Sequence, residues 1–261
     1  MGRLLVHGHR GCRAVRPENT LAAFRHALAA GVDFLEMDLS VTADDVLVAS
    51  HDPLINETIC RGPAGAVPIR SLTYAELRRF DCGSQRHPDH PHQVLVPGEP
   101  IPKLDDILRL GAPAGVGFNI ETKMRERPDL APAPEKFAAM VLEAVRRHGV
   151  ASRTILQSFD YRSLRAMKQL DPKIRLSALD DQGREDFVAL ARSGQAGIIS
   201  PRFDFVTPEK VRAAHAAGLE VVPWTANRPE QWRRLVDAGV DAIITDDPEA
   251  LIAWLRIRGL R

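Results

Sequence analysis

The stretch Phe34-Leu35-Glu36-Met37-Asp38-Leu39 decides which fold the sequence encodes. It is followed by the turn Ala43-Asp44-Asp45 and a second apolar run, Val46–Ser50. A crossover between parallel strands needs about a dozen residues or more, and the turn is much shorter than that. The second run therefore predicts an antiparallel hairpin with the end of the first.

Beyond this hairpin, apolar β-rich runs alternate with helical patterns along most of the chain. Such alternation is typical of a parallel α/β sheet or barrel. Once the hairpin strand is set aside, eight βα units remain, which predicts a (β/α)8 TIM barrel. The predicted barrel strands are Leu4–Gly8, Phe34–Leu39, Gly117–Thr122, Thr154–Phe159, Ile174–Leu179, Gly197–Ser200, Glu220–Thr225 and Ala242–Thr245.

Length and composition fit one such domain. The chain has 261 residues, of which 44% are hydrophobic and 26% charged, so it can bury a sizeable core. We predict a single domain over residues 1–261, with residues 52–102 inserted as a cap over the face that carries TIM-barrel active sites. Within the cap, the run His87-Pro88-Asp89-His90-Pro91-His92 predicts a solvated, mobile loop, with a second metal site as the alternative.

Charge and cysteine content restrict the partners and the location. A formal net charge of +1 provides no field for nucleic acid or an anionic membrane, and no segment is long enough for stable membrane insertion. The three cysteines, Cys12, Cys60 and Cys82, have no CxxC spacing, which argues against a disulfide framework and a structural zinc site. No signal peptide precedes the first strand, so we expect a cytoplasmic protein, with a periplasmic or secreted protein that has lost its signal peptide as the alternative. The sequence carries no signal for an oligomeric state.

Three carboxylates are predicted to converge on adjacent strands. Glu36 and Asp38 alternate along one strand, and Glu121 lies on the next with Lys123 on the same face. Two carboxylates about 6 Å apart repel by roughly 3 kcal/mol at an effective dielectric constant near 20. One divalent cation, Mg²⁺ or Ca²⁺, would relieve this repulsion, and an ion-pair network with Arg10 and Lys123 is the alternative.

Two histidines are expected near these carboxylates. His9 and Arg10 follow the first strand in a glycine-flanked turn, and His51 follows the hairpin strand. An imidazole can transfer protons near neutral pH, and a guanidinium can bind two phosphate oxygens at once. The pair therefore predicts a general base and a general acid on opposite sides of a phosphorus atom.

Seven motifs together give the chain a resemblance to the glycerophosphodiester phosphodiesterases. The resemblance extends from the first strand to about Pro248, with the motifs in family order. They are His9-Arg10-Gly11, Pro17-Glu18-Asn19-Thr20, Glu36-x-Asp38, His51-Asp52, Glu121-x-Lys123, Gln157-Ser158-Phe159 and Pro223-Trp224-Thr225.

The resemblance implies a TIM barrel that hydrolyses glycerophosphodiesters, a small-molecule substrate, to sn-glycerol 3-phosphate and an alcohol. It further implies the role of each matching residue. His9 and His51 would be the acid–base pair, Glu36, Asp38 and Glu121 the metal ligands, Arg10 and Lys123 the phosphate-binding residues, and Gln157 and Trp224 the lining of the glycerol side. The sequence leaves open whether water or the glycerol 2-hydroxyl is the nucleophile, and which alcohol leaves.

Three alternative functions remain open at this point. A related phosphodiesterase of the phospholipase D type would act on lysophospholipids. A Schiff-base aldolase would use Lys123 at its strand end. A non-catalytic protein would only bind polyol phosphates, although such a binder has no need of two proton-transfer residues.

Overall fold

Nine strands alternate with helices in the computed structural model, which describes residues 3–125, 127–183 and 186–261. The strands are β1 (Leu5–Gly8), β2 (Phe34–Val41), β3 (Leu47–Ala49), β4 (Gly117–Thr122), β5 (Thr154–Ser158), β6 (Arg175–Asp180), β7 (Ile198–Pro201), β8 (Glu220–Val221) and β9 (Ala242–Thr245). The α-helices are α1 (Leu21–Ala30), α2 (Tyr74–Leu77), α3 (Leu104–Gly111), α4 (Pro134–Arg147), α5 (Tyr161–Leu170), α6 (Phe187–Ser193), α7 (Pro208–Ala216), α8 (Pro229–Ala238) and α9 (Pro248–Ile257). Within the described ranges, no helix has the length and apolar character needed to cross a bilayer.

Eight parallel strands form a barrel in the order β8-β7-β6-β5-β4-β2-β1-β9. The ends of this row meet through backbone hydrogen bonds of 3.0 Å, from Asp241 to Val221 and from Ile244 to Pro223. β8 is shorter than predicted because Pro223 has no N–H and interrupts the regular ladder. The predicted TIM barrel is confirmed.

The predicted hairpin is also confirmed, since β3 pairs with β2 in antiparallel fashion, with Leu39 opposite Ala49. The chain then stays at the carboxyl edge of the barrel, where the Ser50 N–H donates to the Asp38 carbonyl at 3.0 Å. His51 is thereby brought next to the strand that carries two of the acidic residues.

Alternation along β2 separates an apolar layer from a polar interior. Leu35, Met37 and Leu39 are fully buried in the core between the strands and the surrounding helices. Phe34, on the other face, packs in a smaller cluster, and His7 stacks on it with the ring centroids 4.4 Å apart. Burial lowers the pKa of His7 to about 3, so this histidine is a neutral core residue.

The cap has its own apolar cluster, which includes Ile69 and Phe80, and it contains a disulfide between Cys60 and Cys82. The expectation that the cysteines form no disulfide was therefore wrong. Their neighbours Arg61 and Asp81 exchange two backbone hydrogen bonds, 2.8 and 2.7 Å long, which brings the two cysteines together.

We predicted a solvated loop for the histidine-rich run of the cap. In the structure, the end of this run packs against the loop that follows β1. Gln93 is 1% exposed, and its side-chain amide donates to the carbonyls of Arg13 and Arg16 at 2.7 and 3.0 Å. The Val94 N–H donates to the Val15 carbonyl at 2.8 Å. The cap is therefore attached directly to the loop that follows β1.

Candidate active site

Three buried carboxylates meet at the carboxyl edge of the barrel. Glu36 and Asp38 lie on β2 and Glu121 on β4, with Asp38 opposite Glu121 in the strand pairing. One ligand oxygen from each lies within 4.8 Å of the other two. This donor set fits a hard divalent cation such as Mg²⁺ or Ca²⁺. Across the described ranges, no second group of three His, Cys, Asp or Glu side chains converges in this way, so the cap histidines gain no support as a metal site.

The electrostatics of the cluster also favour a bound cation. Burial, reinforced by the neighbouring Asp38 carboxylate, raises the pKa of Glu36 well above its usual value. Burial likewise raises the pKa of Glu121, although the Lys123 ammonium opposes it. Burial acts in the same direction on Asp38, but Arg10 and the other neighbouring groups together outweigh it and hold the pKa of that carboxyl far below the usual range. A divalent cation would therefore stabilise the ionised form of all three groups.

Polar side chains orient the two carboxylates of β2. The backbone N–H of Arg10 donates to Glu36 Oε2 at 2.9 Å, and Gln157 Nε2 donates to Glu36 Oε1 at 2.8 Å. Asn19 Nδ2 donates to Asp38 Oδ2 at 3.1 Å. Gln157, expected on the glycerol side, lines the cavity and also holds a metal-ligand candidate in place.

Arg10 joins the acidic cluster to the loop after β1. Its backbone is in the left-handed region, with φ of 49°, and its guanidinium lies 2.9 Å from Asp38 at Nε and 2.7 Å from Glu18 at Nη1. Glu18 also accepts from Nε of Arg13. Burial raises the pKa of Glu18, but the two guanidinium groups outweigh it and lower that pKa to about 2.

His9 is oriented by a carboxylate from the last strand end. Its Nδ1 lies 2.5 Å from Asp246 Oδ1, and Asn227 Nδ2 donates to Asp246 Oδ2 at 2.7 Å. Burial lowers the pKa of His9, and the Asp246 carboxylate opposes this only in part. With Nδ1–H donated to Asp246, the neutral imidazole keeps the lone pair of Nε2 available as a base.

His51, which follows the hairpin strand β3, has a similar arrangement. Its Nδ1 lies 2.9 Å from Asp52 Oδ1, while Asn56 Nδ2 donates to Asp52 Oδ2 at 2.7 Å. The His51 side chain is 35% exposed, against 12% for His9. Both histidines line the same cavity, as the sequence predicted for an acid–base pair.

Lys123 lies within the acidic cluster and is not isolated. Its Nζ is 3.0 Å from Glu121 Oε1, and the side chain is 6% exposed. The same ammonium lies 5.8 Å from the centre of the Phe159 ring. An ammonium paired with a buried carboxylate suits anion binding and is a poor amine nucleophile, which argues against the aldolase alternative.

All of the predicted site residues line a single cavity of about 340 Å³. Trp224 forms part of its wall, with Nε1 donating to the Ser200 carbonyl at 2.8 Å and its ring edge-on to Phe159 at 5.5 Å. At the mouth, Arg125 makes a bidentate ion pair with Asp181, with bonds of 3.0 and 2.7 Å. The cavity thus combines a charged base with a partly aromatic wall.

Sequence reasoning missed Asp246, Arg13 and the Arg125–Asp181 pair. Asp246 directly follows β9, so the rule that polar residues at strand ends form TIM-barrel sites could have found it. Arg13 lies in an irregular loop, where no periodicity indicates the direction of its side chain.

Converging carboxylates and histidines at the carboxyl edge of a TIM barrel are typical of an enzyme active site, and the acidic cluster could hold a metal ion. The sequence profile of the glycerophosphoryl diester phosphodiesterase family matches residues 9–250. The chain belongs to this family.

Individual relatives agree with this assignment. A glycerophosphodiester phosphodiesterase from Caldanaerobacter subterraneus subsp. tengcongensis is 33% identical over 257 residues, covering 98% of this chain and 100% of the relative. A crystal structure from Silicibacter pomeroyi, assigned to the same activity, is 33% identical with a TM-score of 0.90, covering 99% and 95% of the two chains. An Oleispira antarctica phosphodiesterase, solved with its product sn-glycerol-3-phosphate, shares the fold at 24% identity and a TM-score of 0.82, with 97% of each chain covered.

Proposed function

We propose that this phosphodiesterase hydrolyses glycerophosphodiesters to sn-glycerol 3-phosphate and an alcohol, with His9 and His51 as the proton-transfer residues. The observation that carries the proposal is the placement of both histidines, each held by a carboxylate at Nδ1, around one cavity with three converging acids. The family assignment supports the reaction class.

In this proposal, Glu36, Asp38 and Glu121 would hold one divalent cation, Mg²⁺ or Ca²⁺. When bound there, the cation would supply positive charge that stabilises the phosphate oxygens in the transition state. Arg10 and Lys123 add fixed positive charge at the same place and orient the phosphate. Gln157 keeps Glu36 in position, and Trp224 packs against the glycerol side.

The two histidines divide the proton transfers. His9, neutral because of its burial, takes a proton at Nε2 from the nucleophile, water or the glycerol 2-hydroxyl, while Asp246 stabilises the imidazolium that forms. If the 2-hydroxyl attacks, the product is a cyclic phosphate, which water then opens to sn-glycerol 3-phosphate. His51, held by Asp52, donates a proton to the departing alcohol. An in-line displacement places the entering and leaving oxygens on opposite sides of phosphorus, so two separate residues are needed.

Chelation tests the cation. We expect EDTA to abolish release of sn-glycerol 3-phosphate from glycerophosphocholine, and added Mg²⁺ or Ca²⁺ to restore it. Because a ligand bound only to the folded state at 100 times its Kd stabilises it by about 2.7 kcal/mol, the cation should also raise the melting temperature.

The variant Asp38→Asn, which alters a proposed metal ligand, should lose both the activity and the cation-dependent rise in melting temperature. Full turnover in exhaustive chelator would refute the metal site. A panel of glycerophosphodiesters and lysophospholipids, with the released product as the readout, separates the proposed activity from the phospholipase D alternative.

A further inference from the structure

We propose that Arg13 is a further substrate-binding residue, which donates a hydrogen bond to a phosphate oxygen beside His9 and is held in position by the cap through His87. The inference rests on the proposed function, since it assigns an additional ligand for the same phosphate. It also gives a role to the histidine-rich run.

Two anchors fix the Arg13 guanidinium. Its Nε donates to Glu18, the same carboxylate that binds Arg10, and its Nη2 lies 2.8 Å from Nε2 of His87. Only 14% of the side chain is exposed. Arg10 and Arg13 therefore both bind the Glu18 carboxylate, and both line the same cavity.

The third nitrogen of the Arg13 guanidinium is available to a ligand. Nη1 is 3.9 Å from Asp246 Oδ2, which is too long for a hydrogen bond, and none of the described residues hydrogen-bonds it. Arg13 lines the cavity together with His9 and Arg10. A guanidinium with two fixed nitrogens and one presented to a cavity is a preorganised donor for an anionic oxygen.

The cap determines where Arg13 lies. The buried Gln93 amide donates to the Arg13 carbonyl at 2.7 Å and accepts from the His87 N–H at 2.9 Å. On the other side, the Ala14 N–H donates to the Asp246 carbonyl at 2.9 Å. The cap thus contacts both the backbone and the guanidinium of Arg13, so the position of Arg13 depends on the cap as well as on its own loop.

The test compares Arg13→Ala, Arg13→Lys, His87→Ala and His87→Gln with the wild type. The matched control is His92→Ala, because His92 is exposed on the same run. One readout is kcat and KM for glycerophosphocholine, and the other is the Kd of inorganic phosphate by titration calorimetry, which does not require turnover.

We expect Arg13→Ala to weaken phosphate binding and to lower kcat/KM, each by about 10- to 100-fold, since a charged hydrogen bond is lost. Arg13→Lys should fall between this variant and the wild type, because one ammonium cannot keep both anchors and reach the ligand. His87→Ala should lower the phosphate affinity and kcat/KM by about 3- to 10-fold, which is less than the effect of Arg13→Ala. His87→Gln, whose amide oxygen can still accept from Arg13, should recover most of that loss, and His92→Ala should match the wild type.

A phosphate Kd and kcat/KM within twofold of the wild type in Arg13→Ala would overturn the proposal. A fall in kcat with unchanged phosphate affinity would overturn it too, since Arg13 would then only position Asp246. Should Arg13→Ala not fold, Arg13→Lys decides by the same criteria. If the wild type binds phosphate but hydrolyses no glycerophosphodiester, the proposed function fails, while the phosphate titration still decides the role of Arg13.

Discussion

His9 and His51 have the same local arrangement. In each, a carboxylate binds Nδ1, so that Nε2 is available for the proposed proton transfer. They differ in burial, since His9 lies deep beside the loop after β1 and His51 lies at the more open hairpin end. The same interaction with Asp246 or Asp52 fixes the tautomer and the ring orientation in each case. The proposed proton transfers therefore depend on four residues, and two of these, Asp246 and Asp52, need not contact the substrate.

Replacing either histidine should lower kcat strongly and leave substrate binding largely intact. We expect His9→Ala and His51→Ala each to lower kcat by roughly 10²- to 10⁴-fold, which is the usual contribution of a general acid or base. The double variant should lose far less than the product of the two losses, because the pair acts as a unit. Steady-state kinetics on glycerophosphocholine measure all three values.

The pH profile identifies His9 separately. A general base must be unprotonated, so kcat/KM should rise as the pH passes upward through the His9 pKa, which burial places below its usual value near 6.5. His9→Ala should lose this acidic limb. A His9→Ala profile with the wild-type limb intact would assign the limb to another group.

At the scale of elements, the hairpin and the cap bring residues to the site that the eight βα units alone would not. β3 delivers His51, and the cap segment that follows it contains Asn56, which supports Asp52. The Cys60 N–H donates to the Asn56 carbonyl at 2.8 Å, so the disulfide lies one hydrogen bond from this support. The cap is therefore connected to the candidate site both near His51 and at Arg13.

Removing the disulfide should loosen the cap and leave the barrel intact. The bridge joins residues 22 positions apart. A disulfide that closes a loop of this size stabilises the folded state by about 3 kcal/mol, because it restricts the unfolded chain. We expect Cys60→Ser/Cys82→Ser to speed amide hydrogen exchange within residues 52–102 without a matching change in the barrel strands.

The control for the disulfide is Cys12→Ser, which removes a thiol that the structure shows as free and buried. It should perturb the core near α1 and not the cap. Equal exchange rates throughout the cap in wild type and double variant would show that its apolar cluster suffices to hold it.

The sequence predicted the side chains whose direction follows from strand periodicity. It missed the contacts between residues that lie in distant, irregular loops. Glu36 and Asp38 alternate on a recognisable strand, so their shared face followed directly. Arg13 and His87 are 74 positions apart, and each lies in an irregular segment without a repeat. The Cys60–Cys82 pair was missed for the same reason, because only the backbone pairing of Arg61 with Asp81 brings the cysteines together.

At the scale of the whole molecule, buried charge couples stability to pH. The Glu18 pKa is about 2 in the folded protein and near 4.5 when unfolded, so its ionisation favours folding by about 3 kcal/mol above pH 4.5. This contribution is lost as the pH falls from 4.5 towards 2.

Glu18→Gln should therefore be less stable than the wild type at pH 7, with a free energy of unfolding that falls less steeply between pH 5 and pH 3. Urea unfolding at several pH values measures this slope. The matched control is Glu143→Gln on α4, where the side chain is 77% exposed and the slope should not change. Equal slopes for the wild type and Glu18→Gln would contradict the assignment of this acid sensitivity to Glu18.

The hydrogen bond between His9 and Asp246 joins residues 237 positions apart, which directly follow the first and last strands of the barrel. On a translating ribosome, both histidines and all three acidic residues emerge before Asp246 does. Until Asp246 emerges, His9 has no carboxylate to orient it, and β9 has not yet joined β1. In the proposed mechanism, the acid–base pair is therefore complete only after β9 has closed the barrel against β1.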